Sequence, residues 1–548
     1  MSEWDESFDF VIVGSGGGSM IAALAVREAG KTPVILEKTD RVGGSTAMSG
    51  GVFWIPNHPL QAREGVNDSP ELARTYLDAA VGDVGPSTSR ARKDMFLEMG
   101  PKMVTYLESK GMPFVRYGGW SDYHDDLPGG VSEGRSLGVE IFNLNKLGPV
   151  WSKILRTTDF TIPAKRSETK HLTLVKRTWT GKIAFIKLGL RVIRNKLLGI
   201  RQVGAGAAIQ GRMLKMALDH DVDIRINAAV TDLIEEDGRI VGVLSQRDGR
   251  PWRIQARDGV LVNAGGFARS EELRRKYFPQ PSSVEWTNAN PGDTGEMIEI
   301  AKAHGAALDL TNEAVWIPTS VPPDGLPLMN VPDLPKPHLI VVDKAGKRFA
   351  NEAQSYMRNG QDYYRHGAVP AYAIMDARFF KKYSWGFRMG RVPKIWYESG
   401  FVKQADTIAE LAKLCGIDPD GLEATVARFN GFAKTGKDLD FKRGDKAYDL
   451  VFADHTNKPS ATLGPIEEGP FSAIEIYPGD VGTFGGIVTD EFGRAVRDDG
   501  SVIPGLYATG NSTASVMGRT YPGAGASISP SFIFGWVAAR HAVGQVPN

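Results

Sequence analysis

The chain has 548 residues, a formal net charge of +1 and 42% hydrophobic residues. This length suffices for two ordinary domains, and the balanced charge excludes an intrinsically disordered chain and a protein that binds nucleic acid through broad positive charge. The single cysteine, Cys415, excludes an internal disulfide and a cysteine metal cluster, and it fits a packing residue in a reducing compartment. Residues 1–6 are acidic without an export signal, and no run of about eighteen apolar residues predicts a membrane span, so we expect a cytoplasmic location.

The N-terminal segment predicts a β-α-β unit. Residues 8–13 form a short apolar strand, residues 20–28 an alanine-rich helix and residues 33–37 the next strand. A glycine-rich turn joins the first strand to the helix, which is typical of proteins that bind a dinucleotide.

Within the turn at residues 14–18, the glycines have separate uses. Gly14 permits a tight reversal, and Gly16 lets the backbone approach a pyrophosphate at the positive end of the helix. Ser19 occupies the third small position, where this fingerprint prefers glycine. Glu37 lies at the end of the second strand, where a carboxylate can accept hydrogen bonds from the adenosine ribose.

Three further segments favour FAD over a nicotinamide cofactor. Residues 41–51 form a loop rich in glycine and hydroxyl side chains, which can wrap the pyrophosphate and the flavin edge. Residues 259–266 and 505–511 each predict an apolar strand that ends in a glycine turn. Any one of these is also compatible with an ordinary turn of an α/β sheet, but all of them together in this order indicate FAD.

A basic insertion lies between residues 151 and 201. It contains 13 lysines and arginines against two acidic residues, Asp159 and Glu168. Apolar residues recur in it at spacings of three and four, with basic side chains beside them, and these are Ile183, Ile186, Leu190, Ile193 and Leu197. Such a helix predicts peripheral contact with an anionic membrane. The alternative is a helix that packs its apolar stripe on the body of the protein.

The composition changes between residues 316 and 470, where prolines and aromatic residues surround a helical stretch at residues 408–432. Because FAD segments lie on both sides, we expect an insertion. The predicted fold class is α/β, with a Rossmann-like FAD-binding domain at 1–315 and 471–548 and an inserted α+β catalytic (cap) domain at 316–470. The active site is then expected at the seam between the domains.

Four segments resemble one flavoprotein family. Residues 341–352 (Val-Val-Asp-Lys-Ala-Gly-Lys-Arg-Phe-Ala-Asn-Glu) are similar to a signature of the fumarate reductase and succinate dehydrogenase flavoproteins. More specific are residues 120–130 (Trp-Ser-Asp-Tyr-His-Asp-Asp-Leu-Pro-Gly-Gly), 351–356 (Asn-Glu-Ala-Gln-Ser-Tyr) and 521–525 (Tyr-Pro-Gly-Ala-Gly). With them the chain resembles the 3-ketosteroid delta-1-dehydrogenases over essentially its whole length.

The resemblance implies oxidation of a 3-ketosteroid between carbons 1 and 2, without a metal ion and with an external, quinone-like electron acceptor. It implies four catalytic residues. Tyr521 and the amide of Gly525 polarise the carbon 3 carbonyl, as in an oxyanion hole. Tyr356 accepts the proton from carbon 2, and Tyr123 lies beside it. Because a free tyrosine has a pKa of about 10, a hydrogen bond from a neighbour or the field of the site must favour the phenolate.

We expect FAD to be bound without a covalent link, by the glycine turns and the segments around them. The predicted cofactor-binding residues are Gly14, Ser15, Gly16, Gly17, Gly18, Glu37, Lys38, Gly43, Gly44, Ser45, Thr46, Ser49, Gly50, Gly51, Val230, Ala264, Gly265, Gly510, Asn511, Ala526, Ser527 and Ile528.

Three other functions stay open on the sequence. A delta-4-(5alpha) 3-ketosteroid dehydrogenase shares the architecture but is expected to lack the Tyr-Pro-Gly-Ala-Gly arrangement. A fumarate-type reductase needs arginine and histidine clusters for two carboxylates, and we find none in the sequence. A flavin electron carrier would be reduced without forming a product.

Other polar residues near the motifs have structural interpretations. The chain contains 15 tyrosines, so each phenol can also be a packing residue with one satisfied hydroxyl. We expect His124 to be a polar neighbour of the site and Arg519 to form a structural salt bridge. Asp293 is expected to cap the helix that runs through Ile300.

Overall fold

A computed structural model describes residues 4–158, 161–247, 249–386, 388 and 391–545. The helices in this part are α1 (Gly17–Glu28), α2 (Gly44–Met48), α3 (Pro59–Arg63), α4 (Pro70–Ala80), α5 (Arg90–Ser109), α6 (Gly148–Ile154), α7 (Arg166–Leu172), α8 (Trp179–Leu197), α9 (Ala205–Asp219), α10 (Glu271–Tyr277), α11 (Glu296–Ala303), α12 (Tyr356–Arg365), α13 (Ala377–Lys382), α14 (Lys394–Glu398), α15 (Ile408–Cys415), α16 (Pro419–Thr435) and α17 (Ile528–Ala542).

The strands are β1 (Glu6–Val13), β2 (Pro33–Leu36), β3 (Val52–Trp54), β4 (Phe114–Arg116), β5 (Ser136–Val139), β6 (Phe142–Asn143), β7 (Gln202–Val203), β8 (Asp223–Arg225), β9 (Val230–Glu236), β10 (Arg239–Arg247), β11 (Arg250–Val262), β12 (Leu308–Asp309), β13 (Ala314–Ser320), β14 (Leu328–Met329), β15 (Leu339–Val342), β16 (Ala371–Met375), β17 (Lys403–Ala405), β18 (Phe471–Thr483), β19 (Gly486–Ile487), β20 (Arg494–Val496) and β21 (Val502–Ala508).

The larger sheet has eight strands and a parallel centre. Strands β21, β11, β1, β2 and β8 lie side by side in parallel, β20 pairs antiparallel with β21, and β9 and β10 extend the sheet as an antiparallel hairpin on β11. The second halves of β1 and β11 are buried and apolar, as expected for parallel strands covered on both faces. The carboxyl ends of parallel strands meet at one edge of a sheet, so the glycine turns after β1 and β11 are brought together there.

The smaller main sheet has six strands, in the order β14, β13, β18, β16 and β15, with β17 also paired to β18. Helices α15 and α16 pack their apolar residues, among them Leu411 and Leu422, against this sheet. Cys415 lies in the same core and is buried, as expected of a packing residue.

The strand pairing places the ends of this second unit differently from the predicted 316–470. Strand β13 begins at Ala314, and β18 continues to Thr483 while pairing with β13, β16 and β17. Because β18 is the central strand of the sheet, the predicted boundary at residue 470 cuts it off from its partners. The predicted boundary rested on a change in amino-acid composition. Strand pairing between distant segments does not alter the local composition, so the sequence did not indicate it.

The basic insertion contains α7 and α8, and α8 turns its apolar stripe outward. Gly181, Ala184 and Leu188 are buried on the side of α8 that packs against α7 and the turn after it, whereas Ile186, Leu190 and Leu197 are 57%, 62% and 80% exposed. The alternative prediction, in which the stripe packs on the body, is therefore wrong.

An ion pair joins the inward side of α8 to α7. The inward side carries Arg191, whose guanidinium forms two hydrogen bonds of 2.8 Å with Glu168 of α7. The other acidic residue of the insertion, Asp159, lies outside the described residues. Among the helices of the described chain, we find none with the length and apolar character needed to cross a membrane.

Candidate active site

A cavity of about 1400 Å³ lies at the carboxyl ends of β1, β2 and β11 and extends to the six-stranded sheet. All four predicted catalytic residues, Tyr123, Tyr356, Tyr521 and Gly525, line it. The predicted cofactor residues that line it are Gly14, Ser15, Gly16, Glu37, Lys38, Gly44, Ser45, Thr46, Ser49, Gly50, Gly51, Val230, Ala264, Gly265, Asn511, Ser527 and Ile528. The structure thus brings most of the predicted site together in one space.

The remaining predicted cofactor residues lie outside the lining, and they are Gly17, Gly18, Gly43, Gly510 and Ala526. For two of them the structure gives another use. A Cβ on Gly17 would meet the Phe532 ring at 1.9 Å, and one on Gly18 would meet the Ser531 carbonyl oxygen at 2.4 Å. These glycines let α1 pack closely on α17, and α1 begins at Gly17, three residues before the predicted start at Met20.

The turn after β1 forms a narrow cradle of bare backbone. Gly14 has φ +95°, and a Cβ there would meet the Asn263 carbonyl oxygen at 2.3 Å. A Cβ on Gly44 would point at the Gly16 Cα from 3.7 Å, so two glycine backbones face each other at the start of α1. Backbone amides and the positive end of a helix suit a pyrophosphate. The cradle therefore fits the dinucleotide part of FAD.

Ser19 follows the cradle without disturbing it. Its hydroxyl accepts a hydrogen bond of 2.9 Å from the Asn263 side-chain amide, and both side chains are buried. The serine thus links α1 to the turn after β11. A glycine at position 19, which the fingerprint prefers, would leave the Asn263 side-chain amide without this hydrogen bond.

Two carboxylates lie along the cofactor part of the cavity. Glu37 accepts hydrogen bonds from Ser15 Oγ at 2.5 Å and from the Thr39 backbone N–H at 2.9 Å, which fixes it at the end of β2. Asp293 accepts a hydrogen bond of 2.9 Å from Ser45 Oγ, and burial raises the pKa of Asp293 to about 7.

Asp293 does not cap a helix, so that prediction is wrong. Helix α11 begins after Gly295, which has no side chain to cap it. The hydroxyl that Asp293 accepts from belongs to Ser45, 248 residues earlier in the chain. No sequence motif indicates this contact, so the sequence did not predict that Asp293 lines the cavity.

The three predicted tyrosines come from three distant segments and meet at one end of the cavity. The ring centroids of Tyr123 and Tyr356 are 5.4 Å apart, those of Tyr123 and Tyr521 5.7 Å, and those of Tyr356 and Tyr521 5.2 Å. Tyr123 and Tyr521 are each 4% exposed. The Tyr521 hydroxyl is 3.0 Å from Ser527 Oγ.

One carbonyl oxygen joins two of the tyrosine segments. The Pro522 carbonyl accepts hydrogen bonds from the Tyr76 hydroxyl at 2.7 Å and from the Tyr123 backbone N–H at 2.9 Å. The position of Tyr123 relative to Tyr521 is therefore fixed by the backbone and not only by packing.

A buried charge network supports the same region. Arg135 donates hydrogen bonds to both Asp68 and Asp122, and all three side chains are at most 1% exposed. Asp122 also accepts a hydrogen bond of 2.8 Å from the Trp54 indole, which packs against Gly523. A Cβ on Gly523 would meet that indole at 2.2 Å, so only glycine fits there.

Gly525 lines the cavity with a backbone conformation that requires glycine. Its φ is +104°, and a Cβ there would meet the Val52 carbonyl oxygen at 2.3 Å, so the conformation requires glycine. The Gly525 carbonyl accepts a hydrogen bond of 3.1 Å from Ser529 Oγ. Within the described part of the chain, the buried Gly525 N–H donates to no acceptor. Buried amides are nearly always paired, so this one is available to a bound ligand.

Tyr356 is the first residue of α12, and two contacts fix that helix. A Cβ on Gly360 would meet Trp316 at 2.3 Å, so α12 packs directly on β13. Before the helix, buried Glu352 accepts hydrogen bonds from Arg348 and Arg443. Burial, followed by the fields of the neighbouring tyrosines, holds the pKa of Tyr356 well above its usual range. Tyr356 is therefore a phenol at neutral pH in this structure.

A fourth tyrosine belongs to this cluster, and sequence reasoning missed it. The Tyr448 ring lies 4.1 Å from the Tyr123 ring and is 4% exposed. No motif surrounds Tyr448, and nothing in its local sequence distinguishes it from the other tyrosines.

Two neighbours of the motifs take the structural places expected of them. His124 Nε2 is 3.0 Å from Thr520 Oγ1, and burial lowers the pKa of His124 to about 4, so it is an uncharged polar neighbour. Arg519 forms a salt bridge of 2.8 Å with Glu313.

The parallel sheet, the glycine cradle and the large shared cavity define a dinucleotide-binding flavoprotein. The family described as FAD binding domain matches residues 9–528. The chain belongs to this family, and its cofactor is FAD.

Particular relatives extend the similarity over nearly the whole chain. A 3-oxosteroid 1-dehydrogenase of Mycolicibacterium smegmatis is 40% identical, with 97% of each chain covered. A 4-oxocyclohexanecarboxylate 2-dehydrogenase of Sinomonas cyclohexanicum is 32% identical and covers 98% of this chain and 93% of its own. The crystal structure of 3-ketosteroid delta1-dehydrogenase from Sterolibacterium denitrificans, in complex with 1,4-androstadiene-3,17-dione, is 32% identical with a TM-score of 0.93 and covers 98% of this chain and 100% of its own. These similarities confirm the resemblance predicted from the motifs.

Proposed function

We propose that the protein is an FAD-dependent 3-ketosteroid delta-1-dehydrogenase, an oxidoreductase that introduces a double bond between carbons 1 and 2 of ring A. One observation carries the proposal: Tyr123, Tyr356, Tyr521 and the free Gly525 amide meet in the cavity that also contains the FAD cradle. Within this proposal the unit built on the six-stranded sheet is the inserted catalytic (cap) domain, and the active site is the seam between it and the larger sheet.

The chemistry requires a polarised carbonyl. The hydrogens on carbon 2 of a 3-ketosteroid are acidic only because the carbon 3 carbonyl can become an enolate. The Tyr521 hydroxyl and the Gly525 N–H donate to the carbonyl oxygen, where the negative charge develops. One such donor can lower the barrier by roughly 3 kcal/mol. The glycine conformation at 525 and the anchored Pro522 carbonyl hold both donors before substrate arrives.

Tyr356, as a phenolate, accepts the proton from carbon 2, and Tyr123 supports that phenolate by donating a hydrogen bond. The electron pair of the broken carbon 2 bond forms the new carbon 1–carbon 2 π bond as a hydride leaves carbon 1. Bound FAD supplies the hydride acceptor. Turnover also requires an acceptor for these electrons from outside the protein, and a quinone-like acceptor stays a prediction.

We further propose that the cofactor residues named above that line the cavity hold FAD without a covalent link. The described residues around the cavity include neither cysteine nor histidine, two side chains that form covalent bonds to flavins. Acid precipitation of the holoenzyme should leave the flavin in the supernatant. Flavin that stays with the precipitated chain would contradict this part of the proposal.

A substrate panel tests the reaction. The holoenzyme with 4-androstene-3,17-dione and an artificial acceptor should form the 1,4-diene, recognised by its ultraviolet absorbance and the loss of two hydrogen atoms. With 5α-androstane-3,17-dione, the new double bond should lie at carbon 1 and not at carbon 4. 4-Oxocyclohexanecarboxylate, the ketone in the name of one relative, should react far more slowly, since it fills little of the cavity.

Each contrary result identifies a different function. A product with the double bond at carbon 4 would indicate delta-4 chemistry, and faster reaction of the small ketone would replace the steroid as substrate. A flavin that a chemical reductant reduces, with no product from any ketone, would indicate an electron carrier.

We also propose that α8 binds an anionic membrane surface. Its outward face combines the exposed apolar stripe with Trp179, which is 78% exposed, and with exposed lysines. Apolar residues beside basic ones suit the boundary between lipid headgroups and chains. Thr169, Lys170 and Leu172 of α7 line the cavity, and α8 packs on α7, so the basic insertion borders the space proposed for a lipid-soluble substrate. The cytoplasmic location stays a prediction.

Vesicle binding tests the membrane proposal. A variant with Ile183→Ser, Ile186→Ser, Leu190→Ser and Ile193→Ser should lose sedimentation with phosphatidylglycerol vesicles but keep turnover of dissolved steroid. The matched control, Leu414→Ser with Leu439→Ser, removes apolar side chains that are 54% and 74% exposed elsewhere and should change neither. Unchanged sedimentation of the α8 variant would end the membrane proposal.

A further inference from the structure

Tyr448 lies behind the proposed catalytic tyrosines and not in the cavity. It begins the 3-10 turn Tyr448–Leu450. Its ring is inclined 35° to the Tyr123 ring at a centroid distance of 4.1 Å, the shortest among the measured tyrosine pairs of the cluster. The described residues that line the cavity include Tyr123, Tyr356 and Tyr521 but not Tyr448. Tyr448 can therefore act on the reaction only through the other phenols.

The backbone around Tyr448 is tied to the segment that carries Tyr123. The Asp125 carboxylate accepts a hydrogen bond of 3.0 Å from the Ala447 N–H and one of 3.2 Å from the Tyr448 N–H. Asp125 is two residues from Tyr123, so the two rings share one rigid support.

The next residue ties Tyr448 to the segment that leads to Tyr356. The Asp449 carboxylate accepts hydrogen bonds from the Asn351 side chain at 3.0 Å and from the Gly444 N–H at 2.8 Å. Asn351 begins the motif that ends in Tyr356. Tyr448 is thus held from both sides, by the two segments that supply the proposed base and its neighbour.

We propose that Tyr448 is a positioning residue for proton transfer: its hydroxyl donates a hydrogen bond to the Tyr123 oxygen, which directs the Tyr123 proton toward Tyr356. This inference rests on the proposed dehydrogenase function. Only the proton from carbon 2 is transferred, to the Tyr356 phenolate, and Tyr123 and Tyr448 keep their own protons.

The surroundings of Tyr448 suit a permanent donor. Burial, followed by the field of Tyr123, holds the pKa of Tyr448 well above its usual range, so its hydroxyl keeps its proton over the working pH range. The titratable groups around it are Tyr123, Tyr356, Tyr521, Asp125, Asp449 and Lys446. In a chain of hydrogen bonds each donor strengthens the next, so a donor behind Tyr123 favours the phenolate of Tyr356.

The test is the pH dependence of flavin reduction by 4-androstene-3,17-dione in the holoenzyme, followed anaerobically. Tyr448→Phe keeps the ring and removes the hydroxyl. We expect flavin reduction at neutral pH to slow by about tenfold and its rise with pH to move to higher pH, with unchanged steroid affinity. Tyr363→Phe is the matched control, because it removes from α12 a buried hydroxyl that has no hydrogen-bond partner among the described residues, and it should change neither the rate nor the pH profile.

A double-mutant cycle separates positioning from general stability. In the Tyr123→Phe background the Tyr448→Phe change should have no further effect, because the hydroxyl it acts through is gone. Should Tyr448→Phe fail to fold, Asp125→Asn loosens the same support, and the same shifted profile is expected from it.

Several outcomes overturn the inference. The inference is wrong if the pH profile of Tyr448→Phe is unshifted or if Tyr363→Phe loses as much flavin-reduction rate. It is also wrong if the effects in the double mutant are additive or if Tyr448→Phe reduces the flavin faster than the wild-type enzyme. In those cases the wild-type enzyme still forms the 1,4-diene, so the proposed function stands. If the wild-type enzyme forms no diene, the proposed function itself fails.

Discussion

The tyrosine end of the cavity and helix α8 use apolar and aromatic residues in opposite ways. At the tyrosine end, aromatic rings are buried against one another, and the backbone that carries them is anchored at the Pro522 carbonyl. On α8, apolar side chains such as Leu190 and Leu197 are exposed, and Arg191 forms an ion pair with Glu168 of α7 on the other side.

The two regions differ in whether the chain itself covers their apolar side chains. The tyrosine end is already buried, and hydrogen bonds fix its backbone, so a ketone oxygen would meet donors that need no rearrangement. Helix α8 leaves a contiguous apolar face in water, which soluble monomers rarely do over a large area. The aromatic side chains of the first region are buried within the chain, whereas the apolar stripe of α8 is exposed on it.

The largest effect is expected from removing a hydrogen-bond donor at the tyrosine end of the cavity. Tyr521→Phe should lower turnover by roughly a hundredfold to a thousandfold, because it removes one of two hydrogen bonds to the developing oxyanion. The flavin should stay bound, since the cradle after β1 is untouched. Steady-state assays measure the turnover, and the flavin spectrum shows whether the cofactor stays bound. The control is Tyr477→Phe, which changes a remote tyrosine that is hydrogen-bonded to Glu475. Near-normal turnover would refute the polarising role.

The next effect concerns the support beneath the tyrosines. Arg135→Met leaves the Asp68 and Asp122 carboxylates buried without their cation, so the free energy of unfolding should fall by about 3 kcal/mol. Urea unfolding of the holoenzyme measures this. Arg63→Met breaks an exposed ion pair with Glu108 and should change stability little. Equal losses in the two variants would mean that Arg135 contributes no more than a surface pair.

A third effect follows from the buried base. Since the pKa of Tyr356 is raised above its usual range, the phenolate is the minor form at neutral pH, and its fraction grows about tenfold per pH unit. Flavin reduction by steroid should therefore accelerate from pH 6.5 to 9.5 in stopped-flow experiments. Tyr356→Phe should abolish this acceleration. A rate independent of pH in the wild-type enzyme would remove Tyr356 as the proton acceptor.

The sequence predicted local features of the fold and the motif-bearing part of the site. The β-α-β unit followed from apolar runs and a glycine turn, which act over about thirty residues. The segments of Tyr123, Tyr356 and Tyr521 were identified because each lies in a motif that resembles a family.

Contacts between distant segments could not be predicted in the same way. The close approach of Phe532 to Gly17 and of Ser531 to Gly18 is visible only in the packed structure, and the assignment of both glycines to the cofactor stays a prediction. Asp293 was assigned to a helix cap because its contact with Ser45 is not visible in the sequence. Tyr448 has no motif, and its partner Tyr123 is distant in sequence. For α8, periodicity predicted the stripe but not which side faces the protein.

The smallest effect distinguishes charge from apolar contact on α8. Lys187 is exposed beside the apolar stripe, and one basic residue near an anionic surface contributes about 1 kcal/mol, or about fivefold in binding. Lys187→Gln should weaken binding to phosphatidylglycerol vesicles by about that factor and leave binding to uncharged phosphatidylcholine vesicles unchanged. Added salt should erase the difference, because exposed charges are screened. Lys413→Gln removes the same charge from the exposed side of α15 and serves as the control. An equal loss on both kinds of vesicle would mean that Lys187 acts through the shape of the helix, and the proposed membrane contact of α8 would then rest on the apolar stripe alone.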